Sequence, residues 1–64
     1  LKASYKTLIP EYINYSDITG LSNEAVERLN DARPESIGQA SRISGINSSS
    51  VALIKIHLKK NNIT

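Results

Sequence analysis

The sequence predicts an all-α fold, a small bundle of three main helices preceded by an extended or partly helical N-terminal segment. Three observations carry that expectation. No stretch alternates polar and apolar residues between hairpin turns, so strands lack their signal. Three segments open on a Ser or Asn and continue with apolar residues at helical spacing. The 39% apolar fraction holds three tyrosines (Tyr5, Tyr12, Tyr15) and no Phe or Trp, which predicts an aliphatic core of Ile, Leu, Val and Ala.

From the N-terminus, residues 1–15 hold apolar side chains without a clean period, and Pro10 biases Ile9 toward extended geometry. They read as a linker or broken helix end ahead of a helical domain over residues 16–64. Ser22 before Asn23-Glu24-Ala25 has the form of an N-cap with a carboxylate in the first turn. The helix predicted over 23–32 buries Ala25, Val26 and Leu29, sends Glu24, Glu27, Arg28 and Asp31 to water, and ends where Pro34 restricts Arg33. Ser36 caps a short second helix with Ile37, Ala40 and Ile43 inward, and Gly45 suits the left-handed conformation that often closes a helix. Asn47 caps the third, which continues to about Lys60. On that helix Val51, Leu53, Ile54, Ile56 and Leu58 cover more than half the circumference and leave Lys55 and Lys59 on a narrow polar strip. So wide an apolar arc either sits centrally in the bundle or docks on another domain.

The pattern Ile18-Thr19-Gly20-Leu21-Ser22, followed by Val26 and Leu29, returns 25 residues later as Ile43-Ser44-Gly45-Ile46-Asn47, followed by Val51 and Ile54. Both read apolar, x, Gly, apolar, cap, then helix: the glycine permits a tight turn, the next apolar residue staples the helix start, and Ser or Asn caps it.

With 64 residues there is room for one small domain. The absence of cysteine removes disulfides, thiolate metal sites and a cysteine nucleophile, and one His makes no zinc site alone. No apolar run approaches the roughly 20 residues of a membrane span, and nothing has the form of a signal peptide; the expectation is a soluble, cytoplasmic chain without a membrane partner. Opening on Leu1, it is expected to be processed or cut from something longer. Gly20, Gly38 and Gly45 stand too far apart for a dinucleotide or phosphate loop. No serine lies in GxSxG, and His57 falls within the apolar arc, which places it as a packed or interface residue before a catalytic one. No catalytic, cofactor or metal site is expected within the chain.

Charge is unevenly shared. Residues 1–35 carry 4 basic and 6 acidic groups, whereas residues 36–64 carry Arg42, Lys55, Lys59 and Lys60 and no carboxylate. Such a half suits a phosphate backbone or an acidic protein, although a solvated surface is the plain alternative. Ser41, Gly45, Val51 and Ile54 within 37–58 also have helix-turn-helix spacing. The second helix of that motif is nevertheless mostly apolar and lacks Arg or Asn readers of base edges. Ile18-Thr19-Gly20-Leu21 approximates a helix-hairpin-helix turn, with Ser22 in place of the usual second glycine.

One run is not required by periodicity: Gly38-Gln39-Ala40-Ser41-Arg42-Ile43-Ser44-Gly45-Ile46. Together with Ile18-Thr19-Gly20-Leu21-Ser22-Asn23-Glu24, Arg33-Pro34 and His57-Leu58-Lys59-Lys60, it resembles the C-terminal end of the bacterial tRNA uridine 5-carboxymethylaminomethyl modification enzymes, the GidA or MnmG family, over roughly residues 8–60. Ser48 departs from the proline usual in the family at that helix's first turn, which touches the cap and not the fold. The resemblance implies a homodimeric parent enzyme that binds FAD, uses NADH and works with the GTPase MnmE on the wobble uridine of certain tRNAs. Its flavin-binding glycines and cysteines have no counterpart in this chain. What carries over is a helical module implicated in contacts to the GTPase, to tRNA and to the remainder of the parent. On that basis Gln39, Ser41, Arg42, Lys55, Lys59 and Lys60 are the candidate tRNA- or partner-binding residues. An independent DNA-binding helix-turn-helix and a purely structural cap on the parent's core are the alternatives.

Overall fold

Three helices among the described residues each begin where a side-chain oxygen takes up a backbone N–H that the helix itself leaves unpaired. The computed structural model describes residues 6–61. A 3-10 turn at Tyr15–Asp17 comes first, then α1 (Asn23–Ala32), α2 (Ile37–Ser41) and α3 (Ser48–Lys60). Ser22 accepts from the Ala25 N–H at 3.1 Å, Ser36 from Gln39 at 3.2 Å and Asn47 from Ser50 at 2.9 Å. All three expected caps are in place, and the described residues contain no β-strand beyond an isolated bridge.

That bridge holds the N-terminal segment. Leu8 pairs antiparallel with Ser36; Ile9 N–H donates to the Glu35 carbonyl at 2.8 Å and Ile37 N–H to the Thr7 carbonyl at 3.0 Å. The segment carries Ile9 and Ile13 into the core, a placement its aperiodic sequence did not signal. The first five residues of the expected linker lie outside the described residues. No described helix is long and apolar enough to cross a membrane.

Leu29, Ile37, Ala40, Ile54 and Leu58 are fully buried at the centre, with Ile18, Ala25, Ile46 and Val51 around them. The core is not purely aliphatic: Tyr15 is among its largest buried side chains. The short turn after Asn14 delivers this ring inward, and the face of the ring is covered by Arg33, whose Cζ lies 5.6 Å from the ring centroid.

Three local expectations change. Arg33 leaves the right-handed region before Pro34, but into the left-handed one at φ 47° and not into extended backbone. Its N–H closes α1 on the Leu29 carbonyl, and its guanidinium reaches the Glu11 carbonyl oxygen, so side-chain contacts hold the unusual backbone. Gly45 does not close α2, which stops at Ser41. The chain instead steps through successive turns (Arg42 to Gln39, Ile43 to Ala40, Ile46 to Ile43), and Gly45, at φ 91°, shapes the entry to α3. Ile56, expected in the apolar arc, is 60% exposed.

The internal echo is a structural repeat. Gly20 and Gly45 both have positive φ, the N–H groups of Leu21 and Ile46 donate to the Ile18 and Ile43 carbonyls, and Val26 and Val51 donate to the Ser22 and Asn47 carbonyls. Packing obeys the same offset. A Cβ on Gly20 would meet the Leu53 side chain at 3.1 Å, and one on Gly45 would meet Arg28 at 3.3 Å. Arg28 and Leu53 are themselves 25 positions apart. Each unit's turn thus packs on the same position of the other unit's helix, an internal pseudo-twofold arrangement.

Candidate functional site

The basic half of the sequence becomes two surface regions. Gln39, Ser41 and Arg42 line a polar depression of about 520 Å³ together with Ser36 and Gly38. Two of the three are engaged by their own chain. The Gln39 Oε1 accepts from the Glu35 N–H at 2.8 Å, and the Ser41 hydroxyl donates to the Gly38 carbonyl at 2.7 Å. These bonds secure α2 and its junction with the preceding link. Arg42, at the C-cap of α2, is exposed.

Lys55, Lys59 and Lys60 are exposed on α3. Lys59 and Lys60, with His57, occupy its last turn, where cations also offset the helix dipole. Among the described residues the ion pair is Arg28–Glu24 at 3.4 Å, and none of Arg42, Lys55, Lys59 or Lys60 has a carboxylate within bridging distance. Their side chains face solvent.

Lys60 also lines a groove of about 340 Å³ between the Asp17–Thr19 segment and the second half of α3. Ile18, Leu53 and Ile56 give it apolar walls, while Asp17, His57 and Lys60 supply polar ones. His57 is half-buried there, and the Asn61 amide nitrogen stands 3.4 Å from its Nδ1 and donates to its backbone carbonyl at 2.8 Å. The sequence places Leu53 and Ile56 in an apolar arc that either sits centrally or docks on another domain, and the structure leaves Ile56 outside the core. The width of the α3 arc was the available signal, since a single small neighbour cannot cover it.

A third depression, about 340 Å³ between Pro10 and Pro34, has Tyr15 and Arg33 in its lining. Burial raises the Tyr15 hydroxyl above its ordinary 10.0, and the nearby Arg33 charge partly lowers it again. Among the described residues no group of three His, Cys, Asp or Glu could hold a metal ion.

The geometry matches known proteins. The family described as the tRNA modifying enzyme MnmG/GidA C-terminal helical bundle matches residues 1–64. The chain is similar to the tRNA uridine 5-carboxymethylaminomethyl modification enzyme MnmG of Desulfotalea psychrophila, with 54% identity over 54 residues, 84% of this chain and 8% of that protein. Two crystal forms of Aquifex aeolicus GidA superpose with TM-scores of 0.85 and 0.84 at 40% identity, covering 89% of this chain and 10% and 9% of theirs. The chain therefore spans about a tenth of the length of the relatives it matches. By profile, sequence and fold together, it belongs to the MnmG/GidA C-terminal helical bundle family.

Proposed function

We propose that this bundle is a docking module of an FAD-dependent, tRNA wobble-uridine-modifying enzyme and meets tRNA, the GTPase MnmE, or both. The observation that carries this reading is the set of exposed cations Arg42, Lys55, Lys59 and Lys60, which have no carboxylate partner among the described residues. Such groups attract phosphates or acidic side chains and cost little desolvation until a partner arrives. Gln39 and Ser41 position α2 beside Arg42 through their own hydrogen bonds.

In this reading the docking body comprises residues 16–64 together with the preceding stretch whose Ile9, Ile13 and Tyr15 complete its core, and the N-terminal side joins it to the remainder of a cytoplasmic, homodimeric parent. FAD and NADH belong to parts of that parent outside this chain. The residues here do not fit either group, because Gly20 and Gly45 shape two separate turns and Gly38 lies within α2. The bundle contributes binding and no step of the reaction.

The test is a titration of labelled tRNA, duplex DNA and the GTPase, at low and physiological salt, with the unsubstituted protein and with Lys55→Gln/Lys59→Gln/Lys60→Gln. Binding that weakens, with a shallower salt dependence, supports the reading. Affinities unmoved by the triple change would remove it, and selective binding to duplex DNA would replace it with a helix-turn-helix.

A further inference from the structure

We infer that the depression across the outer face of α2, lined by Ser36, Gly38, Gln39, Ser41 and Arg42, binds one ribose-phosphate unit of an RNA backbone. This deepens, and rests on, the docking reading above.

The hydrogen bonds around α2 decide what each lining side chain has left to offer. Gln39 Oε1 is taken by the Glu35 N–H at 2.8 Å, which fixes the side-chain amide with its NH2 group turned away from that N–H and free to donate. Ser36 Oγ accepts from the Gln39 N–H at 3.2 Å, so its hydroxyl hydrogen is unspent. Ser41 is the reverse case: its hydrogen goes to the Gly38 carbonyl at 2.7 Å, and only its lone pairs remain. Arg42, exposed and without a carboxylate partner among the described residues, adds a guanidinium. The depression thus presents donors from Arg42, Gln39 and Ser36, the first of them cationic, beside one hydroxyl that can only accept.

That set matches a phosphate joined to a sugar hydroxyl. Non-bridging phosphate oxygens take the donors of Arg42, Gln39 and Ser36, and a ribose 2′-hydroxyl, itself a donor, meets Ser41. The carboxylate of an acidic protein satisfies the same donors but brings no hydrogen to Ser41. A protein interface also centres on buried apolar anchors, and no apolar side chain lines this depression. The want of aromatic or apolar walls equally leaves a base unheld, so the contact is to the backbone of a strand and not to a lone nucleotide. The other two depressions described above carry carboxylates that repel a phosphate: Asp17 lines one, and Glu11 and Glu35 line the other. At about 520 Å³ the space lies within the ~300–1,000 Å³ of ordinary ligand sites.

The experiment measures tRNA and GTPase affinities of the full-length protein that carries this chain, with Gln39→Glu, Arg42→Gln and Ser41→Ala. Gln39→Glu is the sharpest change, because a carboxylate oxygen still accepts from the Glu35 N–H while the donor facing the depression becomes an anion. Arg42→Gln keeps the test clear of folding, since the Arg42 side chain is exposed and has no ion-pair partner among the described residues. The expected result is tRNA affinity lowered roughly tenfold by each of these two, a salt dependence shallower by about one unit in Arg42→Gln, and unchanged GTPase affinity and urea midpoint. With the all-deoxy counterpart of the same tRNA sequence as a second probe, Ser41→Ala should shrink the preference for RNA and leave affinity for the deoxy strand unmoved. A preference for RNA that Ser41→Ala leaves intact overturns the sugar contact and with it the proposal. Loss of GTPase affinity with tRNA affinity unmoved assigns the depression to a protein and overturns the proposal as well. If the lysine triple change weakens tRNA binding while Gln39→Glu and Arg42→Gln do not, the depression falls and the docking reading stands. If neither set matters to either probe, both fall.

Discussion

Arg33 concentrates several roles in one side chain. It holds a left-handed backbone at φ 47° and ψ 61°, lies over the Tyr15 ring and bonds the Glu11 carbonyl, thereby joining the end of α1 to the N-terminal segment. Arg33→Ala keeps the strained backbone and loses the contacts, and urea denaturation should show a loss of about 1 kcal/mol. Arg33→Gly also loses the contacts but relieves the backbone, so it should be roughly 1 kcal/mol more stable than Arg33→Ala. Equal stabilities would mean that φ at this position carries no strain. Burial of Tyr15 sets a pH dependence. The Tyr15 hydroxyl is raised by burial, so the unfolded chain releases its proton first; the stability this group contributes is intact below 10.0 and falls as pH rises from there through the folded value. Arg33→Ala removes the charge that lowers this group, and a carbon-detected NMR titration of the Tyr15 ring should show it moving further up.

At the scale of elements, the two glycine turns differ in what they face. Both have positive φ, so alanine is strained at either, at about 1–2 kcal/mol. Gly20 additionally abuts Leu53, which is half-buried, while Gly45 abuts the side chain of Arg28, which is 47% exposed and held only by its surface ion pair with Glu24. Thermal unfolding should therefore rank Gly20→Ala as the more damaging change, and adding Leu53→Ala should recover part of its loss and none of that from Gly45→Ala. The starts of α1, α2 and α3 were legible because a cap is local: Ser22, Ser36 and Asn47 each bond an N–H three residues on. The end of α2 was not. Gly45 signals a left-handed residue but not whether it closes the helix before it or opens the one after it, and the consecutive turns over Arg42–Ile46 decide for the latter. Likewise Ile56 and Leu58 are indistinguishable by composition, and only the placement of the Asp17–Thr19 segment leaves one exposed and the other buried.

For the molecule as a whole, the core is small and shared. At ~0.1 kcal/mol per residue a chain of this length has about 6 kcal/mol of stability, and truncating one fully buried Leu or Ile removes about 2–5 kcal/mol. Leu29 and Ile54 are equivalent in the repeat and equally buried, so Leu29→Ala and Ile54→Ala should each leave only roughly 1–4 kcal/mol of stability, read as similar large drops in the urea midpoint by circular dichroism. A small effect from one alone would show that the two units unfold separately. The surface choice of partner was less legible than the core, since charge selects a sign and not a molecule, and Gln39 and Ser41, singled out within a distinctive run, turn out to bond their own backbone. The pairing of Thr7–Ile9 with Glu35–Ile37 has a mechanical side. A pull along the chain at Thr7–Ile9 loads backbone hydrogen bonds to the link in front of α2, so it turns the bundle as a rigid load instead of paying out slack.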